Sequence, residues 1–330
     1  MATTSKPAGI TVEKLHPSLG AAVRGVGFTR PLDAPTGGAV KQAWADHLVL
    51  VFSHQPVSDE QHVALTRYFG EPEVFHQNII KSRRVPEIFR VANTDDDGKL
   101  MAPSHPTMKQ LSGAQKWHTD SSYRDRPSVG SLLHGIEVSR TGGVTCFTNM
   151  YEVYEALPAA LKAKVQGRKA RHDFGMLSRE LGAREQTEAE RKAMPAVWQP
   201  MVRRHPITGR TSLFISPIYN DAIEGMPYPE ARDLIGELTE FAAEKRFVYE
   251  HKWETHDILM WDNRCTMHYV TPYDPSERRV IHRTTTARHA PVLAGQGGPK
   301  GTSPPSLGGK KIAYRHFPSP LAGRGLGVGG

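Results

Sequence analysis

The ordered part of the chain is cut into short β-branched or aromatic runs, and that constrains its fold more than any other feature. Leu48–Phe52, Val129–Val138, Val144–Thr148, Ser212–Ser216, Arg246–Tyr249, Asp257–Trp261 and Arg279–Ala287 are mostly bounded by Gly, Pro, Asp or Asn, the pattern of buried or half-buried strands. Two helices stand out against them. Ser58-Asp59-Glu60-Gln61 reads as a capping box, followed by the apolar positions Val63, Leu65, Tyr68 and Phe69. Pro229–Lys245 carries a proline near its start and apolar residues at 234, 235, 238, 241 and 242. Many short strands with a few flanking helices predict a mainly β, two-sheet jelly roll, the double-stranded β-helix. The βαβαβ rhythm of a doubly wound fold is absent, as is any GxGxxG at a strand-to-helix turn.

Length and patterning suggest one domain over residues 10–291. Residues 1–9 read as a disordered lead. Residues 292–330, rich in Gly and Pro, read as a flexible basic tail. The stretch of about 73–115 is weakly patterned and contains TDDDGK and APSHPT, which predicts a lid-like insertion. At 38% hydrophobic and 23% charged residues the chain can build a core. Its net charge of +8 is largely a tail property: Lys300, Lys310, Lys311, Arg315 and Arg324 stand in the last forty residues without one Asp or Glu. The remainder is too weakly basic to point to nucleic acid. Cys146 and Cys265 form neither a disulfide framework nor a zinc spacing, and read as buried thiols in a reducing compartment. No apolar signal region opens the chain, and no apolar run reaches the roughly 18 residues of a membrane span. The expected setting is the cytoplasm, away from membranes. A homo-oligomer is compatible with all of this.

The chemistry begins at Trp117-His118-Thr119-Asp120. On an extended chain, residues i and i+2 project from one face, so His118 and Asp120 can point at one centre. Imidazole plus carboxylate is two-thirds of the facial triad that holds iron(II) while leaving positions open. An isolated His-x-Asp is more often a solvated pair, although it occurs only once among sixteen histidines. The best candidate for a third ligand is His268, expected just after the apolar strand that ends at Trp261. What lifts it above a structural histidine is Arg279 and Arg283 downstream. Four residues apart on a strand, they can direct two guanidiniums into one pocket, which would need anions to neutralise them.

At this point the residues match a known pattern. WHTD, GGVTCFTNM, WDNRCTMH and RRVIHRTTT closely resemble the taurine/2,4-dichlorophenoxyacetate dioxygenase family, in order and spacing, over roughly Ile10 to Pro291. The resemblance implies iron(II) as cofactor, with 2-oxoglutarate and O₂ as co-substrates, and His118, Asp120 and His268 as the metal ligands. It places Thr145 and Arg279 on the distal carboxylate of 2-oxoglutarate, Trp261 along the co-substrate site and Arg283 on the substrate's anionic group. Where the family usually reads GGDT this chain has Gly142-Gly143-Val144-Thr145, so the acidic neighbour is lost and the threonine kept. Related halogenating enzymes lack the ligand carboxylate, so Asp120 favours hydroxylation.

A small anionic substrate follows from Arg283. The family's taurine enzymes have an Asn where this chain has Ala114, whereas residues 188–210 and 246–253 resemble the phenoxyacetate type. The leading reading is therefore an aryloxyalkanoate, hydroxylated beside its ether oxygen and cleaved to a phenol and a glyoxylate-type product. A sulfonate or alkyl sulfate dioxygenase of the same family is the alternative. His76 is a candidate pocket residue or an ordinary loop histidine. A zinc hydrolase would share the two-His, one-carboxylate set but leaves Thr145 and Arg279 unexplained. A non-catalytic binding module leaves the whole triad unexplained.

Overall fold

A computed structural model of the protein describes residues 9–74, 81–182 and 185–287. The chain divides into a unit over Met1–Gly295 and a second over Gln296–Gly330. His76, the expected tail at 292–330 and residues 1–8 of the lead lie outside the described residues.

In chain order the strands are β1 (Thr11–Lys14), β2 (Ala21–Arg24), β3 (Val49–Phe52), β4 (Phe89–Ala92), β5 (Gly130–Glu137), β6 (Thr145–Asn149), β7 (Lys169–His172), β8 (Val197–Pro200), β9 (Val202–Arg204), β10 (Thr211–Leu213), β11 (Asn220–Ile223), β12 (Val248–His251), β13 (Ile258–Asp262), β14 (Thr266–Val270) and β15 (Val280–Thr286). The helices are α1 (Ala34–His47), α2 (Asp59–Phe69), α3 (Pro106–Leu111), α4 (Met150–Ala156), α5 (Ala159–Val165), α6 (Gly175–Leu181), α7 (Glu188–Ala193) and α8 (Tyr228–Ala242). A seven-stranded sheet runs β1-β2-β3-β13-β5-β15-β4 and a three-stranded sheet runs β12-β6-β14. Two small sheets, β11-β7-β8 and β10-β9, complete the architecture among the described residues.

Strand alternation turns this topology into layers. In the large sheet, Val49 and Val51, Leu133, Leu259 and Trp261, and Ile281 point to one side, where they meet Phe147 of β6 and Tyr249 of β12 in a single buried cluster. Their neighbours Leu50, Phe52, Leu132, Ile258 and Met260 point to the other side, against Val40 and Trp44 of α1 and Leu65 of α2. On the small sheet, Cys146, Met267 and Tyr269 face away from the first cluster and pack with Leu234, Ile235 and Leu238 of α8. Period-two residues thus make two sheets face each other, each with a helical outer cover. This is the expected jelly roll.

Most expected strands are present within a residue or two. Three differences have local causes. Lys245–Phe247 forms a 3₁₀ turn, so the strand expected from Arg246 begins at Val248. His268 lies inside β14 rather than after a strand, because Thr266–Val270 pairs along Thr145–Asn149. Within 73–115, Phe89–Ala92 is an edge strand on β15, and Pro106–Gln115 is helical. The capping box at Ser58 is present, with Gln61 N donating to Ser58 Oγ at 3.2 Å and Ser58 N to Gln61 Oε1 at 2.8 Å.

The outer face of β5 and β15 carries histidines under α2. His62 of α2 is fully buried and contacts Thr284 Oγ1 through Nε2 at 3.1 Å. His134 lies beside His256, 3.3 Å between ring nitrogens, and opposite His282, which contacts Asp59 at 2.6 Å. Burial pushes His62 down to about 3 and His134 down to about 4. Both are therefore neutral in the fold and take up protons on unfolding below their ordinary value near 6.5. Stability should be intact above pH 6.5 and fall as pH drops toward 4, with His62 alone contributing a slope of up to about 1.4 kcal/mol per pH unit. Thermal melts at pH 7.5, 6 and 5 check this; His62→Leu should flatten the loss, and an unchanged slope would contradict it.

Candidate active site

The site forms where the segment after the 3₁₀ turn at Ser112–Gln115 crosses the middle of β14. His118 and His268 exchange both backbone hydrogen bonds, at 2.9 and 2.8 Å. This single antiparallel bridge brings the two imidazoles to 4.1 Å between ring centroids. His118 is an isolated bridge residue rather than part of a strand, and the chain turns at Asp120, with Ser121 at φ 53°. Thr119 locks the intervening residue: its N–H donates to Ser216 Oγ at 3.0 Å and its hydroxyl lies 3.1 Å from Ile215 O. The i, i+2 geometry expected of His118 and Asp120 therefore holds without a strand.

Nε2 of His118 lies 3.8 Å from Asp120 Oδ1, and Nε2 of His268 lies 4.0 Å from Asp120 Oδ2. All three side chains are buried, and their ligand atoms fall within 4.8 Å of one another. His118 Nδ1 contacts Lys116 O at 2.8 Å; as donor there, it leaves Nε2 with its lone pair. Burial lowers both imidazoles from their ordinary value. Burial alone would raise Asp120, but the Arg283 guanidinium, the two imidazoles and the Ser131 hydroxyl hold it at about 2. Two neutral imidazoles and one carboxylate are a donor set suited to iron(II) with open positions. A second buried group, His205, Asp262 and Cys265, differs in kind. Arg264 engages both oxygens of Asp262, Nε to Oδ1 at 2.8 Å and Nη2 to Oδ2 at 2.5 Å, and burial pushes the Cys265 thiol well above its ordinary value, away from the thiolate a metal needs.

The other expected residues gather around the triad. The Trp261 ring lies 4.8 Å from that of His268 and 5.4 Å from Phe147. Thr145 Oγ1 accepts from Trp253 Nε1 at 2.9 Å, which leaves its own proton for another acceptor. Arg279 is 4% exposed, and no carboxylate among the described residues pairs with it. Its Nη2 reaches Gly143 O at 3.5 Å, and its guanidinium lies 5.3 Å from the Tyr273 ring centroid. Burial lowers Arg279 to about 10, so it stays charged at neutral pH. Gly142 and Gly143 adopt φ 72° and 67°, and a Cβ at Gly143 would sit 3.1 Å from Arg279 Nε. The glycine pair lets the loop cross a buried guanidinium that a side chain would displace. Arg283 donates to Asp120 Oδ1 at 2.7 Å and lies 4.1 Å from the Phe89 ring centroid.

A pocket opens from His118, Asp120 and Arg283. Part of its wall is aromatic: Tyr123 lies 4.6 Å from Phe174 and 4.9 Å from Tyr219, ring centre to ring centre. Ala114, Leu111 and Leu177 add apolar surface. Sequence reasoning missed this wall, because its residues come from three separated segments. It also missed Ser131, which donates to Asp120 Oδ2 at 2.9 Å, and Asn93, whose Oδ1 accepts from Arg279 N at 2.8 Å. Neither stands in a motif that signals its partner.

Comparison with known proteins agrees with this geometry. The family described as taurine catabolism dioxygenase TauD, TfdA family matches residues 11–285. The alpha-ketoglutarate-dependent 2,4-dichlorophenoxyacetate dioxygenase of Cupriavidus pinatubonensis is 36% identical over 290 residues, covering 86% of this chain and 99% of the relative. The (S)-phenoxypropionate/alpha-ketoglutarate-dioxygenase of Sphingobium herbicidovorans is 33% identical, covering 84% and 94%. Among solved structures, AAD-2 in complex with Mn(II) and N-oxalylglycine superposes with a TM-score of 0.79 at 35% identity, covering 87% of this chain and 99% of that one. With the fold, the converging triad and matches along most of its length in agreement, the chain belongs to the TauD/TfdA family of 2-oxoglutarate-dependent dioxygenases.

Proposed function

We propose that this dioxygenase hydroxylates an aryloxyalkanoate beside its ether oxygen, so that the resulting hemiacetal collapses to a phenol and a glyoxylate-type product. The observation that carries this reading is the pocket itself, lined by His118, Asp120 and Arg283 together with the packed rings of Tyr123, Phe174 and Tyr219. Such a cavity suits a carboxylate joined to an aryl group, since aromatic rings stack favourably on one another. Ala114 on its wall supports the same choice over an amino sulfonate. The curated relatives named above act on phenoxy acids, which adds to it.

His118, Asp120 and His268 would hold iron(II), which when bound supplies the O₂ chemistry that couples decarboxylation of 2-oxoglutarate to succinate with substrate hydroxylation. In this reading Arg279 and Thr145 take the distal carboxylate of 2-oxoglutarate. The guanidinium supplies charge and two parallel donors, and the threonine supplies the hydroxyl proton that Trp253 leaves it. Trp261 packs against His268 and keeps that imidazole from rotating. Arg283 takes the substrate carboxylate, while the aromatic wall orients the aryl ether and excludes water. Two buried, unpaired cysteines support a reducing, cytoplasmic setting.

Anaerobic addition of iron(II) and 2-oxoglutarate, followed by O₂ uptake with phenoxyacetates, alkyl sulfates and taurine, tests the substrate class. Succinate should form fastest with a phenoxyacetate; preference for an alkyl sulfate would move the assignment to that branch. Asp120→Ala should abolish coupled turnover, and unchanged succinate production would contradict its role.

Arg279→Ala and Arg283→Ala separate the two anion sites. Charge-assisted hydrogen bonds worth about 1.5–3 kcal/mol correspond to a rise of about 10- to 150-fold in the KM for 2-oxoglutarate in the first variant. The second should raise the KM for the aryl substrate by a similar factor while leaving that for 2-oxoglutarate near its parent value. Identical effects of the two changes on both constants would contradict the division.

A further inference from the structure

We infer that Ser131, set by Asn263, is a positioning residue that fixes the acidic ligand Asp120 for metal binding; this rests on the metal site proposed above. Four buried side chains, Trp261, Asn263, Ser131 and Asp120, form one hydrogen-bonded line, with Ser128 as a branch at Asn263. Trp261 Nε1 reaches Asn263 Oδ1 at 2.7 Å, Asn263 Nδ2 reaches Ser131 Oγ and Ser128 Oγ at 3.0 Å each, and Ser131 Oγ reaches Asp120 Oδ2 at 2.9 Å. Trp261, Ser131, Ser128 and Asn263 are all at most 1% exposed, so water does not compete.

The direction of the line is forced. An indole N–H only donates, so the Asn263 atom facing it must be the carbonyl oxygen. That leaves Asn263 with two N–H donors and makes acceptors of both serine hydroxyls. Ser131 has one proton to give and two neighbours that accept: the Asp120 carboxylate at 2.9 Å and Thr285 Oγ1 at 3.4 Å. The shorter, charge-assisted bond wins. Thr285 then donates to the second lone pair of Ser131, and the hydroxyl is fully used. Backbone register holds the parts together, because Trp261 of β13 and Thr285 of β15 both pair directly with Ser131 of β5.

The consequence is a carboxylate with one oxygen assigned. Asp120 Oδ2 is tied to the sheet through Ser131 and lies 4.0 Å from His268 Nε2, while Oδ1 faces His118 Nε2 and Arg283. A ligand carboxylate held by a neutral donor keeps its charge for the metal but loses its freedom to rotate. Groups that orient a ligand in this way typically contribute about 10- to 100-fold in metal affinity.

The test measures divalent-metal binding to the apoprotein without turnover, by anaerobic titration with Fe(II) and, independently, by the visible spectrum of the Co(II) form. Ser131→Ala should bind Fe(II) about tenfold or more weakly and shift the Co(II) bands, with the melting temperature of the apoprotein near that of the parent. Ser128→Ala removes the other acceptor of Asn263 and a long 3.5 Å contact to the Asp120 main-chain carbonyl, but leaves the donor on the carboxylate oxygen Oδ2, so it should bind Fe(II) like the parent. Should Ser131→Ala fail to fold, Ser131→Cys keeps the volume with a much weaker donor and carries the same expectation. Parent-like affinity in the Ser131 variant would overturn the inference, as would an equal loss in Ser128→Ala, which would signal general loosening. A parent protein that takes up no Fe(II) would overturn the metal site itself, a separate result.

Discussion

The site depends on two backbone hydrogen bonds. His118 and His268 are 150 positions apart in sequence, yet each donates its amide to the other's carbonyl, at 2.9 and 2.8 Å. Closing so long a loop is entropically costly, and the surrounding sheets set the geometry: β14 runs along β6, and β6 faces the large sheet through Phe147. Once that bridge forms, the two imidazoles must lie side by side, and the turn after Thr119 has only one place to put Asp120. The triad is therefore a consequence of the jelly roll's closure. Its geometry is set by buried backbone bonds, which are among the least yielding parts of a fold.

From Ile281 onward, the two-residue alternation of β15 then divides labour between two environments. Ile281, Arg283 and Thr285 face the interior and the site, where Thr285 meets Ser131 and Arg283 meets Asp120. His282 and Thr284 face α2, where they meet Asp59 and His62. A slip of one residue would exchange these faces and put His282 where Arg283 stands. The polar contacts beneath α2 thus help specify the register on which the site's charges depend, as the capping box at Ser58 helps specify where α2 begins.

Much of this was legible in the sequence, and the reasons are particular. Short β-branched runs announced β3, β5, β6, β13 and β15, because a strand buried on both faces must be apolar along its length. The capping box fixed the start of α2 to the residue. His118 and Asp120 were visible because i, i+2 spacing survives even in a one-residue bridge. The sequence did not show the strand character of Thr266–Val270, whose Met, His and Tyr lack the usual β-branched signature. Nor did it show α1, whose Pro-Thr-Gly-Gly start looks like a loop and is held by the Asp33 cap and by packing of Val40, Ala43 and Trp44. Ser131, Asn93 and the aromatic wall were illegible for a deeper reason. Their significance lies in partners brought close only by tertiary folding, and nothing local marks a serine that will meet a carboxylate.

The two arginines illustrate how electrostatics can separate roles that sequence assigns to one strand face. Arg283 has a counter-ion in Asp120, whereas Arg279 is buried with none among the described residues. A desolvated guanidinium without a carboxylate weakens the fold, so its retention calls for an anion that arrives later. An anion reaching Arg279 gains the full relief of that burial. An anion reaching Arg283 must compete with Asp120 for the same cation. A divalent ion drawing on the Asp120 carboxylate would ease that competition, because the carboxylate's charge is then shared with a stronger partner. On the proposed assignment of roles, the deep arginine is ready for 2-oxoglutarate from the outset, while the shallower one becomes available to substrate as the metal centre is completed. On that assignment, the pairing of Arg283 with Asp120 would couple assembly of the centre to recognition of the molecule it acts on.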